Sequence, residues 1–242
     1  MSLGMVAIPI SGLPSWELTR SLVGLKSPRG FRYFTVGEYR RSFPIDTARN
    51  KIVKEFLSDK SMEWLLFVDS DAVLHPLTLN RLLSWKAPIV SALCFIRTTP
   101  IIPSIYGERI ENGLVRTKIQ ETIEWMADHP ELLTRGATIL PEAPPDSLLE
   151  STFVGMHTTL IRREVLETMI EPYFVSDPES KKGAGEDVFF CDKAAELGFT
   201  SYVDMSVISG HQALHEFAGL DFQAWVLWMS QREEYMKNGH PV

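Results

Sequence analysis

Two aspartates one residue apart, Asp69 and Asp71, close an unbroken apolar run, Trp64-Leu65-Leu66-Phe67-Val68. An apolar stretch of that length reads as a strand buried on both faces. Ligands of open α/β sheets bind beyond the carboxyl ends of such strands, so the two carboxylates fall where a site is expected. Side chains at i and i+2 of an extended segment project to one side, and both can face one hard divalent cation. That is the chemistry of a metal-diphosphate site. The same Asp-Ser-Asp also suits an ordinary polar turn, whose side chains bond nearby backbone, and the residue types do not separate the two.

A second cluster, Gly185-Glu186-Asp187, precedes the apolar pattern Val188, Cys191, Ala195. Carboxylates at a helix N-terminus are held ionised by the backbone dipole, and an ionised carboxylate on a scaffold can serve as a general base. Acidic residues of a first turn are equally common as plain helix stabilisers. The third cluster is Ser209-Gly210-His211. Imidazole completes mixed oxygen and nitrogen sites for manganese-like ions, and Gly210 permits close backbone approach. A histidine there can also be a hydrogen-bonded structural residue, and His215, four residues on, is the competing candidate on the same helical face.

The elements that must position these groups alternate. Strands are predicted at Met5 to Ile10, Phe31 to Val36, the run ending at Asp69, and Ile89 to Phe95. Helices are predicted at Trp16 to Leu25, from an N-cap at Asp46 through Ile52, Val53, Phe56 and Leu57, and at Leu77 to Trp85. Such alternation implies an α/β fold with a doubly wound, mostly parallel central sheet and helices on both faces. Residues 96 to 150 are rich in Pro, Gly and charge, with one short helical stretch at Ile119 to Ala127. The segment Arg135 to Glu150 reads as a mobile lid. Regularity returns with a strand at Thr152 to Ile161, helices at Arg163 to Ile170 and Glu186 to Leu197, a strand at Phe199 to Val203 followed by the segment Met205 to Ile208, and a last helix over Phe222 to Met236.

At 242 residues and 45% apolar, the chain suits one large domain with an ample core. No run approaches the roughly 20 apolar residues of a membrane span, which together with the lack of an apolar leader predicts a soluble, cytoplasmic protein. The 2 cysteines, Cys94 and Cys191, lie in apolar surroundings and are expected to be reduced and buried. A net charge of -7 argues against general nucleic-acid binding, although Arg40, Arg41 and Arg49 could make a local basic spot.

Taken in order, these pieces resemble the GT-A fold glycosyltransferases, in particular family 2-like enzymes and their bacterial and phage relatives. The resemblance rests on a first strand ending at Pro9, Ala48-Arg49-Asn50 opening a helix, and Asp69-Ser70-Asp71. It continues through Phe153 to Arg163, then Gly185-Glu186-Asp187 with Phe189, Phe190 and Cys191, and ends at Gly210-His211. It implies a single GT-A domain over residues 1-242, with 1-95 as the nucleotide-binding half and 96-242 as the acceptor side. It also implies Mn²⁺ or Mg²⁺ held by Asp69, Asp71 and His211, and a nucleotide-sugar donor contacted by Pro9, Arg49, Asn50, Asp69 and Ser70. If the enzyme inverts at the sugar carbon, Asp187, or failing it Glu186, would be the base toward an acceptor hydroxyl, with Gly155 to Thr158 and the 135-150 loop bordering the acceptor. Related folds with a similar metal set retain configuration, and these two carboxylates do not decide between the outcomes. The aspartate that often follows the second strand in family 2 is absent, Glu38 being the nearest acidic residue. The Arg-rich motif of processive synthases is absent too, which favours single transfer. Two rival readings remain at this stage: a haloacid dehalogenase-like phosphatase with Asp69 as nucleophile, against which Ala72-Val73 replaces Gly-Thr, and a nucleotide-sugar-binding module without turnover.

Overall fold

A computed structural model describes residues 3–10, 15–26, 32–36, 44–96, 102–105, 148–176, 185–212 and 216–217. Strands β1 (Leu3–Pro9), β2 (Arg32–Val36), β3 (Met62–Val68), β5 (Ile89–Leu93), β8 (Leu148–Ser151), β9 (Thr158–Arg162) and β10 (Ser201–Ile208) form a 7-stranded sheet in the order β2-β1-β3-β9-β5-β10-β8. Strands β1, β2, β3, β5 and β10 run one way, while β8 and β9 run against them. The sheet is thus mostly parallel, as expected, but β9 enters between β3 and β5 and pairs antiparallel with both.

The helices wind on both faces, and the alternation of side chains along the central strands dictates which residues each face receives. On one face Met5, Ala7, Leu65 and Phe67 pack with α2 (Ile45–Ser58), α4 (Arg163–Thr168) and α5 (Glu186–Glu196) through Ile52, Phe56, Leu166 and Phe190. On the other, Val6, Ile8, Trp64, Leu66 and Val68 pack with α1 (Trp16–Gly24) and α3 (Thr78–Ser84) through Leu18, Leu79 and Leu82. Strand β3 is therefore buried on both sides, as its unbroken apolar run predicts. Gly4 is required where β1 crosses Trp64, because a Cβ there would stand 2.0 Å from the indole ring.

Two small sheets sit at the carboxyl edge: β12-β11-β4, built from β4 (Ala72–Val73), β11 (Gly210–Gln212) and β12 (Glu216–Phe217), and the pair β6 (Phe95–Ile96) with β7 (Ile102–Pro103).

Several expectations change in detail. The N-cap of α2 is Pro44, not Asp46, whose carboxylate lies in the first turn and accepts from Ser176 N–H at 2.8 Å. The strand predicted over Thr152 to Ile161 begins only at Thr158, as β9; residues 152–157 are an irregular passage that joins it to β8. The end of the predicted lid, residues 148–150, is edge strand β8 on β10, while residues 135–147 lie outside the described residues. Strand β10 runs unbroken from Ser201 to Ile208, joining the two segments the sequence suggested. Helix α5 ends as predicted at Gly198, whose φ of +86° allows Gly198 N–H and Phe199 N–H to fold back onto the carbonyls of Ala195 and Ala194. The helices expected at 119–127 and 222–236 lie outside the described residues, as does His215.

Candidate active site

The carboxyl end of β3 is tied on both sides. Asp69 N–H donates to the carbonyl of His157 at 2.9 Å, and Ala72 N–H donates to Asp69 O at 3.0 Å, closing a turn that carries Ser70 and Asp71. Strand β11 then pairs antiparallel with β4, placing His211 opposite Ala72, and Gln212 N–H donates to Asp71 O at 2.8 Å. The first and third sequence clusters are brought together by this pairing.

Asp71 stands between two imidazoles. His211 Nε2 lies 3.2 Å from Asp71 Oδ2, while its Nδ1 lies 3.1 Å from the Phe95 carbonyl. His157 Nε2 lies 3.0 Å from the Gly210 carbonyl, and its Nδ1 is 3.7 Å from Asp69 Oδ2 and 3.9 Å from Asp71 Oδ1. The Gly210 carbonyl only accepts, so His157 donates to it from Nε2 and turns Nδ1 toward the carboxylates. Both nitrogens of His211 face acceptors, Nδ1 the Phe95 carbonyl and Nε2 the Asp71 carboxylate, so its N–H serves one of them and a bound cation would take the lone pair at Nε2 with Nδ1–H on the carbonyl. His157 is 5% exposed, and its Nδ1 has no hydrogen-bond partner among the described residues. Ligand atoms of Asp71, His157 and His211 all lie within 4.8 Å of one another. Two imidazole nitrogens and a carboxylate oxygen at that mutual distance are a donor set that a divalent cation fits.

Arg49 joins the first cluster to the second. Buried at 3% exposure, it donates to Asp69 Oδ1 at 2.9 Å through one terminal nitrogen and to Glu186 Oε1 through the other. Burial alone would push the Asp69 carboxyl up, but the Arg49 charge, with His157 beside it, outweighs that and holds it well below the usual carboxylate range. Asp187 goes the other way. Burial, and after it the charge of Glu186, raise its carboxyl above the ordinary value, against the Val188 N–H that it accepts at 2.8 Å and the more distant Arg49. Its Oδ2 faces Gly155, where a Cβ would stand 3.9 Å away. The Cys94 thiol is pushed up to about 12 by burial, and Cys191 likewise, so neither supplies a thiolate. Both are free and buried, as expected.

A cleft of about 300 Å³ opens over this edge, lined by Pro9 and Ile10 from the end of β1, Ile45, Ala48 and Arg49 from α2, Asp69, Ser70 and Asp71 from the turn, and Glu186. Asn50, expected on the nucleotide, does not line it. Its amide nitrogen donates to the carbonyls of Asp46 and Phe174 at 2.9 and 2.7 Å, and its oxygen accepts from the backbone N–H groups of Tyr173 and Phe174 at 2.8 and 3.2 Å. Every hydrogen-bonding position of that side chain is spent on holding α2 to residues 173–174. Sequence reasoning placed His157 only near an acceptor, and the signal that would have promoted it is its position just before an antiparallel strand whose Thr158 pairs with Val68. That register puts residue 157 beside Asp69.

The mixed α/β architecture is similar to the GT-A fold. The structure is similar to that of A197 from STIV, with 19% identity and a TM-score of 0.56 over 88% of this chain and 86% of that one. It is also similar to GalNAc-T7 crystallised with UDP, GalNAc and Mn²⁺, with 14% identity and a TM-score of 0.53 over 87% of this chain but 43% of the larger protein. No family model and no curated protein matches the sequence. No helix among the described residues is long and apolar enough to cross a membrane.

Proposed function

We propose that the chain is one GT-A domain that transfers a sugar from a nucleotide-diphosphate donor to an acceptor hydroxyl with the help of a divalent cation. The observation that carries this reading is Asp71 set between two imidazoles and lining a cleft at the carboxyl end of β3. Asp71 and His211, with Asp69 on the nucleotide side, would hold the ion. When bound, it neutralises the diphosphate and offsets the charge of its departure. Pro9, Ile10, Ile45 and Ala48, which line the cleft together with Ser70, would meet the nucleotide's base.

Arg49 does not approach the donor as a free cation. It fixes Asp69 and Glu186 in place and keeps Asp69 ionised, which preserves the negative edge that a cation needs. With Glu186 engaged in that ion pair, Asp187 is the better-suited base: its carboxylate is next in the chain, half-buried, and raised toward neutrality, where a base is more effective. It would accept the acceptor hydroxyl proton on Oδ2 as the oxygen attacks the sugar carbon and the bond to the diphosphate breaks.

The phosphatase alternative requires Asp69 as a nucleophile, yet its Oδ1 is bonded to Arg49. A thermal-shift and calorimetric panel of UDP, GDP and CDP with their sugars, with and without Mn²⁺, tests the reading. Because a ligand of the native state stabilises by mass action, one nucleotide family should raise Tm only when Mn²⁺ is present, and Asp71→Ala should abolish the effect. A response to simple phosphate esters, with none to nucleotides, would replace this proposal by the phosphatase.

A further inference from the structure

We infer that the cation site of this chain is a two-imidazole, one-carboxylate centre of Asp71, His157 and His211, selective for transition ions such as Mn²⁺, Co²⁺ and Zn²⁺ over Mg²⁺ and Ca²⁺. This deepens the metal-dependent reading above and rests on it only for the ion's purpose, not for its ligands.

Three independent features converge. First, Nδ1 of His157 is buried, has no hydrogen-bond partner among the described residues, and stands 3.7 and 3.9 Å from the carboxylates of Asp69 and Asp71, a gap that a cation would close. Second, both rings have their other nitrogen fixed by a backbone carbonyl, Gly210 for His157 and Phe95 for His211. Such an outer hydrogen bond sets the tautomer and orients the lone pair of a metal-binding histidine. Third, the two rings lie 4.3 Å apart between centroids, tilted by 38°, so Nδ1 of His157 and Nε2 of His211 approach the same carboxylate from neighbouring directions. The fixation is mutual: Gly210, which orients His157, directly precedes His211, and His157 O accepts from Asp69 N–H. The three ligands thus form one hydrogen-bonded unit drawn from β9, β11 and the turn after β3.

The chemistry of the set decides the ion. Mg²⁺ prefers oxygen in near-ideal octahedral geometry and gives up water reluctantly, and Ca²⁺ takes six to eight oxygens. Imidazole suits the later first-row ions, with affinity rising from Mn²⁺ through Co²⁺. Two nitrogens against one carboxylate therefore tilt the site away from the alkaline-earth ions.

The ring nitrogens nearest the shared carboxylate are Nδ1 of His157 and Nε2 of His211, and these are the ones each ring would offer. Protein stripped with a chelator is titrated with Zn²⁺ while imidazole ¹⁵N shifts are followed, and with Co²⁺ while visible absorption is followed, in the absence of nucleotide. One equivalent should bind, moving Nδ1 of His157 and Nε2 of His211 to metal-bound shifts, and millimolar Mg²⁺ should fail to displace Co²⁺. His157→Gln, which retains an amide N–H for the Gly210 carbonyl, should weaken Co²⁺ binding at least about tenfold while remaining folded by circular dichroism. Displacement of Co²⁺ by an equal concentration of Mg²⁺ overturns the inference. So does wild-type affinity in His157→Gln, or metal shifts confined to His211. Ion binding as described without nucleotide binding would leave this centre standing and defeat the transferase, whereas nucleotide binding supported by Mg²⁺ with unshifted imidazoles would do the reverse.

Discussion

Two aspartates paired with arginines, the sealed Asp204 and the partly exposed Asp69, are built in opposite ways. Asp204 on β10 is fully buried, and both its oxygens accept hydrogen bonds: Oδ1 from Ser206 N–H at 2.9 Å and from the Ser206 hydroxyl, Oδ2 from Trp85 Nε1 at 2.7 Å. Arg81 Nε stands 3.6 Å from Oδ2, and its terminal nitrogen donates to Ser206 Oγ at 3.1 Å. That cluster is closed on itself and pins the end of α3 to the sheet. At the carboxyl end of β3 Asp69 is half satisfied by Arg49, and Asp71 stands between two imidazoles. A polar group sealed by its neighbours stabilises a fold. One whose neighbours are aimed at a common empty direction is arranged for something that arrives from outside.

The largest effect should come from the open side. Asp187→Asn removes the proposed base while keeping shape, and should cut transfer by about 10²–10⁴-fold with donor affinity little changed. The acidic limb of kcat/KM in the wild type should lie above the ordinary aspartate range, because the folded carboxyl is raised, and should vanish in the variant. Steady-state rates across pH on both proteins check this, and full activity in Asp187→Asn would leave the open cluster without its base.

On the closed side the effect should be on stability alone. Asp204→Ala leaves the Trp85 N–H and the Arg81 guanidinium without their carboxylate, at a cost of about 3 kcal/mol. Urea unfolding should show this, while donor affinity per folded molecule stays as in the wild type. A variant that unfolds as the wild type does but fails to bind donor would show that Asp204 belongs with the functional groups, and the contrast would collapse.

Much of this contrast was legible in the sequence for local reasons. The apolar run before Asp69, the helical spacing after Glu186 and the glycine at 198 each report on their own neighbourhood, and each element formed where it was expected. What was not legible is non-local. Nothing near Thr158 announces that its strand will insert antiparallel between β3 and β5, and without that register His157 reads as one more buried histidine. Asn50 differs for a related reason: its place in Ala48-Arg49-Asn50 suggested a ligand contact, but the helix turns it toward residues 173–174, whose backbone groups take up its amide. The same geometry turned the expected donor-binding arginine into a brace, since its two carboxylate partners come from β3 and α5 and meet only in the folded chain.

Asn50→Ala sharpens the comparison from the middle ground, since the residue was expected at the open site and is built like the closed one. Loss of its four backbone hydrogen bonds should destabilise the protein by about 2 kcal/mol. Calorimetry should find donor affinity unchanged in the folded variant; a selective loss of affinity at wild-type stability would return Asn50 to the nucleotide.

The smallest effect belongs to the hinge between the two kinds of site, the Arg49–Asp69 pair, and it depends on pH. Asp69 has a folded pKa below its unfolded value near 3.9, so as the pH falls below about 4 the unfolded chain takes up a proton that the native carboxylate still refuses. Its ionisation therefore contributes stability above about pH 4, which is lost as the pH falls further and the native carboxylate is finally protonated. Asp69→Asn should be less stable than the wild type at pH 7, by about 1 kcal/mol given its partial exposure, and the two unfolding curves should converge below about pH 4. A gap that persists unchanged into acid would mean that Arg49 is held mainly by Glu186. The brace would then have one arm, and Asp69 would be as open toward the cleft as Asp71.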